Sequence, residues 1–206
     1  MKNFNKAFFF GIVLVLILII VYTLASQDKK SDYKSKLIEA WADKDYMFKT
    51  SDKSPIQKKE IFEKLSYFPP NPSFRLEAKV NLIKDTTVFN VRTTDGKKEK
   101  YIRFANATFN LGGKPHQLLL LKPVNNPNNE PDYLFLAFTD KTSGRSTYGG
   151  GRYLDLKYKG EKIILDFNLA YNPYCSYNPN YSCPLPPNEN YLNIAIEAGE
   201  KTLEKE

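Results

Sequence analysis

Residues 74–82 read FRLEAKVNL. Phe74, Leu76, Ala78, Val80 and Leu82 alternate with Arg75, Glu77, Lys79 and Asn81. In an extended chain successive side chains point to opposite faces, so a period of two writes one apolar and one solvated face. The stretch therefore predicts a half-buried β-strand, and the chain beyond it continues in kind. Lys84-Asp85 turns into a second strand over Thr87 to Thr94. Asp95-Gly96 is a hairpin turn, because both residue types tolerate positive φ, and Lys98 to Ala105 returns. Thr108 to Leu111 runs on toward Gly112-Gly113. His116 to Leu121 (HQLLLL) is a continuous apolar run expected to be buried on both faces. Pro123 to Pro131 is a surface loop rich in Asn and Pro. Tyr133 to Phe138 is the next strand. Leu154 to Tyr158 and Lys162 to Phe167 pair around Lys159-Gly160. Leu192, Ile194 and Ile196 alternate in a last strand. About eight to nine short strands joined by tight turns predict a mainly β fold, an antiparallel meander-like sandwich or barrel. Closure would remove exposed edges.

Upstream of the strands the period changes. Tyr33, Leu37, Trp41 and Phe48 recur near helical spacing, so Ser31 to Thr50 predicts a helix. Ser54-Pro55-Ile56-Gln57 carries a capping box with proline at the first helical position, a start for a second short helix. Tyr67-Phe68-Pro69-Pro70-Asn71-Pro72 would stop it. Before both lies Ala7 to Ala25, AFFFGIVLVLILIIVYTLA, without a charge. A helix of that length spans roughly 28 Å, close to the ~30 Å hydrocarbon core of a bilayer. The run exceeds the ~7–15 residues usual in a cleaved signal peptide. Length favours a signal anchor, with a signal peptide as the alternative. The expected organisation is therefore a membrane segment, residues 1–25, and a single β-rich domain, residues 26–206. Lys29, Lys30, Lys34 and Lys36 follow the span, but long domains translocate largely regardless of flanking charge. The domain is placed outside the cytoplasm, single-pass and membrane-attached through residues 7–25.

The net charge of +7 is spread over singly placed lysines. No nucleic-acid motif accompanies it, and no nucleic-acid partner is expected. Cys175 and Cys183 are the two cysteines. In an exported domain such a pair reads as a disulfide. A metal site and two free thiols are the alternatives, and the spacing matches zinc motifs weakly. His116 is the single histidine. It adjoins an apolar run, which favours a structural role. Gly149-Gly150-Gly151 is no phosphate loop, since no Gly-Lys-Ser/Thr or helix pattern follows it. Neither a metal nor a cofactor is expected.

Two stretches carry a likeness to a known family. FTDKTSGRSTYGGGRYLDL (138–156) and DFNLAYNPYCSYNPNYSCPLPPNENYLNIAIEAGEK (166–201) resemble the bacterial and archaeal proteins of domain-of-unknown-function family 1684. Trp41, Lys44-Asp45, Ser54-Pro55 and the Leu65 to Pro69 segment resemble its N-terminal portion. Phe104-Ala105-Asn106 departs from it, where the family often has Gly. The likeness implies fold and boundaries and brings no established activity.

The same two stretches hold the candidate site. Asp140, Arg145, Tyr148 and Arg152 lie in the first. Asp166, Asn168, Tyr171, Asn172 and Asn190 lie in the second, and Glu197 follows it. If the stretches meet at one end of a barrel, carboxylates, guanidinium groups and amides converge there between tyrosine walls. Such a mouth suits a small polar molecule or a cell-surface glycan. One alternative is a carboxylate-dependent hydrolase using Asp166 and Glu197, if they are held ~5–9 Å apart. Another is an envelope interaction protein without a pocket. A competing use of the same groups is purely local, with Asp and Asn side chains bonding their own loops.

Overall fold

The computed structural model describes residues 6–126 and 130–203. The chain forms two compact units, Met1–Ala42 and Asp43–Glu206. Helix α1 (Lys6–Thr50) makes up the first and enters the second. The side chains from Phe8 to Leu24 are mostly exposed. Among the described residues no helix is long and apolar enough to cross a membrane. The helix expected over Ser31 to Thr50 is present, as the later part of α1. The capping signal at Ser54 is used in a turn instead. Its hydroxyl donates to the Phe48 carbonyl at 2.5 Å and accepts from the Ile56 amide at 3.1 Å. Residues 51–65 form turns without an α-helix. Tertiary contacts decide this: Phe62 and Leu65 pack on Phe48, and the Leu65 amide donates to Asp45 at 2.9 Å.

Strands β1 (Arg75–Leu82), β2 (Val88–Arg92), β3 (Lys98–Leu111), β4 (Lys114–Pro123), β5 (Tyr133–Asp140), β6 (Arg152–Lys157), β7 (Lys162–Asp166) and β8 (Tyr191–Leu192) form one sheet. Its order is β6-β5-β4-β3-β1-β7, with β2 beside β3 and β8 beside β5. All pairings are antiparallel except β5 with β8. The two end strands, β6 and β7, follow one another in sequence, so the sheet curls into a nearly closed barrel. The stretches expected on either side of Asn106 are one long strand, β3, irregular between Arg103 and Ala105. A β-bulge of this kind bends a strand without ending it. Gly112 and Gly113 both have positive φ, 60° and 73°, as the tight β3–β4 turn requires.

The sheet is buried on both faces where β4 and β5 run, and the two faces differ in chemistry. Leu118, Leu120, Leu134, Leu136 and Phe138 point into a barrel core of leucine and phenylalanine with Leu165 and Phe167. Leu119, Leu121, Phe135 and Ala137 point outward, into a second cluster with Tyr101 and Tyr153. That outer face is covered by the return stretch from Asp166 to Asn190, whose Tyr171, Cys175, Tyr181 and Cys183 pack on it.

Candidate functional site

The strand-end polar groups meet as braces. Arg152 is fully buried and pairs with buried Asp140 at 3.0 Å. Its guanidinium also donates to the carbonyls of Ile196 (2.8 Å), Ala198 and Glu200 (3.3 Å). Asp140 in turn accepts from the Thr142 amide at 2.8 Å and the Ile196 amide at 3.2 Å. Burial pulls the Arg152 pKa below its usual value, and the Asp140 charge opposes that shift. Asp166 caps the turn Phe167–Leu169 through the Asn168 amide at 3.1 Å and lies 3.4 Å from Arg75. Asn168 exchanges two hydrogen bonds with the backbone of Asn71, at 2.8 and 2.9 Å. Asn172 donates its amide to Glu200 at 2.7 Å and its side chain to the Lys201 carbonyl at 2.9 Å.

Asn190 accepts from the Leu119 amide at 2.6 Å and donates to the Leu119 and Ala137 carbonyls at 2.9 and 2.8 Å. Tyr148 is half-buried, with its hydroxyl 3.9 Å from the Cys175 sulfur. Arg145 and Glu197 are exposed. The hydrolase pair therefore consists of one carboxylate engaged in a turn and one on the surface. His116 stacks on Phe109 at 5.7 Å, and its Nε2 lies 3.2 Å from the Leu111 carbonyl.

The concave site lies on the outer face of the sheet. A cavity of about 1160 Å³ opens between β3, β5 and β6, the end of α1 and the return stretch. Tyr101, Tyr133, Phe135, Tyr153, Tyr171 and Tyr174 give it ring walls, and Asp155 is a carboxylate among them. The rings brace one another: Tyr101 stacks on Phe135 at 5.6 Å, and Tyr153 meets Phe135 edge-on at 4.7 Å. Most wall hydroxyls are already partnered. Tyr133 and Tyr171 donate to the two oxygens of Asp155 at 2.6 and 2.9 Å. Tyr101 donates to Glu99 at 2.9 Å, and Tyr153 to the Pro184 carbonyl at 2.5 Å. Burial, and then the adjacent Asp155 charge, keeps the Tyr133 and Tyr171 hydroxyls protonated far above their usual range. Asp155 retains acceptor capacity, since a carboxylate offers about four lone-pair sites. Lys44 lies 4.7 Å above the Tyr171 ring and pairs with buried Glu200.

Of the ten candidate residues, Tyr171 lines this cavity. Cys183 lines it too, and it is not in a disulfide: Cys175 and Cys183 are free thiols here. This corrects the expected crosslink. The pairing is close, since the Cys175 amide donates to the Cys183 sulfur at 3.2 Å, but the sulfurs are not bonded. Sequence reasoning missed Tyr133, Phe135, Tyr153 and Asp155. Their signal was parity. In β5 and β6 one set of alternate positions reads Leu134, Leu136, Phe138 and Leu154, Leu156, while the other reads Tyr133, Phe135 and Tyr153, Asp155.

A family model described as "Protein of unknown function (DUF1684)" matches residues 60–201. The chain is similar to an uncharacterized protein of Haloarcula marismortui solved by solution NMR. The two are 36% identical, with a TM-score of 0.66 over 85% of this chain and 97% of that one. A comparison with curated proteins finds no match.

Proposed function

The chain belongs to the protein family of unknown function DUF1684, and on that premise we propose that it is a binding module. Its outer-face cavity takes up a small molecule with a flat, largely apolar body and a hydrogen-bond donor that Asp155 receives. The cavity itself carries this reading. At about 1160 Å³ it holds a drug-sized molecule, and aromatic ring walls line it together with charged side chains, Lys44, Lys98, Glu99, Lys100 and Asp155 among them. The hydroxyls of Tyr101, Tyr133, Tyr153 and Tyr171 are tied off by Glu99, Asp155 and the Pro184 carbonyl, so their ring faces and not their phenol oxygens meet the guest. The strand-end groups serve the module as its frame. The uncharged run of residues 7–25 holds it at a membrane, with the β-domain outside the cytoplasm.

The test uses anilinonaphthalene sulfonate, a flat aromatic probe that fluoresces when shielded from water. The native chain is expected to bind it saturably. Tyr174→Ala and Asp155→Ala should each weaken binding by about tenfold, the scale of one lost aromatic or charge-assisted contact. Arg145→Ala and Glu197→Ala, both on exposed positions, should leave it unchanged. Absence of saturable binding by the folded protein, or equal affinity in all four variants, would sink the proposal.

A further inference from the structure

Beside the cavity lie two sulfur atoms that its binding role does not use. We propose that Cys175 and Cys183 form a thiol–disulfide exchange site, with Cys175 as the attacking sulfur and Cys183 as the resolving one. The inference is independent of what occupies the cavity.

Each cysteine is anchored by its own element. Cys175 sits in the 3-10 turn Tyr174–Ser176 and is half-buried. Cys183 is buried and fixed to the β2–β3 turn: its amide donates to the Thr94 hydroxyl at 3.1 Å, and its carbonyl accepts from the Thr94 amide at 2.9 Å. Between these anchors the Cys175 amide donates to the Cys183 sulfur at 3.2 Å. The Cys183 sulfur thus already lies against residue 175, with no bond between the two sulfurs. The asymmetry sets the roles. Cys175 is the more exposed of the two, and the neighbouring Cys183 thiol, with smaller help from Tyr148 and Thr94, holds its pKa below the usual thiol value against burial. The nearby Cys175 sulfur, with burial, pushes the Cys183 thiol up. A half-exposed thiolate beside a protonated partner is the arrangement that attacking and resolving sulfurs require. Cys183 also lines the cavity, which gives its sulfur a route to the outside.

The co-reactant is a small-molecule disulfide. The Cys175 thiolate attacks one of its sulfurs, the S–S bond breaks, and one thiolate leaves and takes a proton from water. Cys183 then gives its proton to water and attacks the Cys175 sulfur, expelling the second thiolate. Starting from the Cys175 thiolate, the chain loses two electrons and one proton; the small disulfide takes the electrons and leaves as two thiolates, which draw their protons from water. An excess of small thiol runs the steps backward.

Oxidised glutathione is the probe. The reduced full-length chain is treated with glutathione mixtures running from fully reduced to fully oxidised, then alkylated and weighed by mass spectrometry. Alkylation should fall from both thiols to neither as the mixture becomes oxidising, and recover in reduced glutathione. C183S should accumulate a glutathione adduct on Cys175, while C175S reacts at least about tenfold more slowly. Should C183S fail to fold, the wild-type rate decides: it should rise with pH below the ordinary thiol range near 8.5, since the Cys175 pKa is lowered, and not through that range. Two thiols still fully alkylated after excess oxidised glutathione would overturn the proposal. So would equal rates for the two variants, or a crosslink that excess reduced glutathione cannot open.

Discussion

Arg152 places a guanidinium where water does not reach it. Desolvating such a charge costs several kcal/mol, which only a well-placed partner set offsets. Here the set is one carboxylate, Asp140, and three carbonyls of the segment Ile196 to Glu200. The side chain thus does for that segment what a neighbouring strand would do. This explains why the alternation at Leu192, Ile194 and Ile196 yields only a two-residue strand. Removing the guanidinium leaves Asp140 buried and uncompensated. Arg152→Met is therefore expected to destabilise the domain by about 3–5 kcal/mol. At about 2–4 °C per kcal/mol for a domain of this size, that lowers the melting temperature by roughly 10 °C. The exposed Glu197→Gln should change stability by less than about 0.5 kcal/mol. Thermal unfolding of the two variants is the check, and a wild-type melt for Arg152→Met would remove the brace. Local sequence could not decide between brace and ligand contact. A charged residue after three glycines is visible, but its acceptors lie some 44 to 48 positions downstream.

Strands β4 and β5 show the same substitution of side chain for backbone on a larger element. Among the described residues they pair at Leu121 and Phe135. Beyond that point the strands part, and the amide of Asn190 bridges the opening from Leu119 to Ala137. The turn Asn188–Asn190 carries it there, and β8 then lies parallel to β5. Asn190→Ala would strand three buried backbone groups. At about 1–3 kcal/mol for each unmet group, the loss should be at least about 3 kcal/mol. It should also be local: amide exchange at Leu119 should quicken well before that of Leu136, which lies within the β5–β6 ladder. Equal protection of both amides in the variant would show that Asn190 does not close the gap. Strand positions themselves were legible wherever one face is wet, as in Phe74 to Leu82. HQLLLL also announced its two buried faces. What the pattern could not show was continuity: β3 reads as two pieces because its irregularity between Arg103 and Ala105 shifts the alternation.

At the scale of the whole molecule, the sheet has an inside of leucine and phenylalanine and an outside rich in tyrosine, and the candidate ligand cavity belongs to the outside. The return stretch was expected to be one wall of a site together with residues 140–153. It lines the cavity opposite Tyr133, Phe135, Tyr153 and Asp155, while Asp140 and Arg152 hold the later segment Ile196 to Glu200. No local window shows this, because each strand contributes only alternate residues and the face is assembled by pairing. The N-terminal run poses a simpler physical question, since helical side chains from Phe8 to Leu24 are apolar and mostly exposed. In water that surface is costly, and in a bilayer it is not. A charged residue at the centre of a membrane helix costs about 2.5–3.5 kcal/mol on insertion scales. Two should therefore shift partition by more than about a thousandfold. If residues 7–25 are the anchor, the native chain floats with phosphatidylcholine vesicles in a density gradient, and the Leu16→Arg, Ile20→Arg double variant stays at the bottom. The β-domain supplies the internal control, because the double variant should bind anilinonaphthalene sulfonate as the native chain does. A double variant that still floats would assign the membrane contact to some other surface. A native chain that never floats would leave the apolar run without a membrane role.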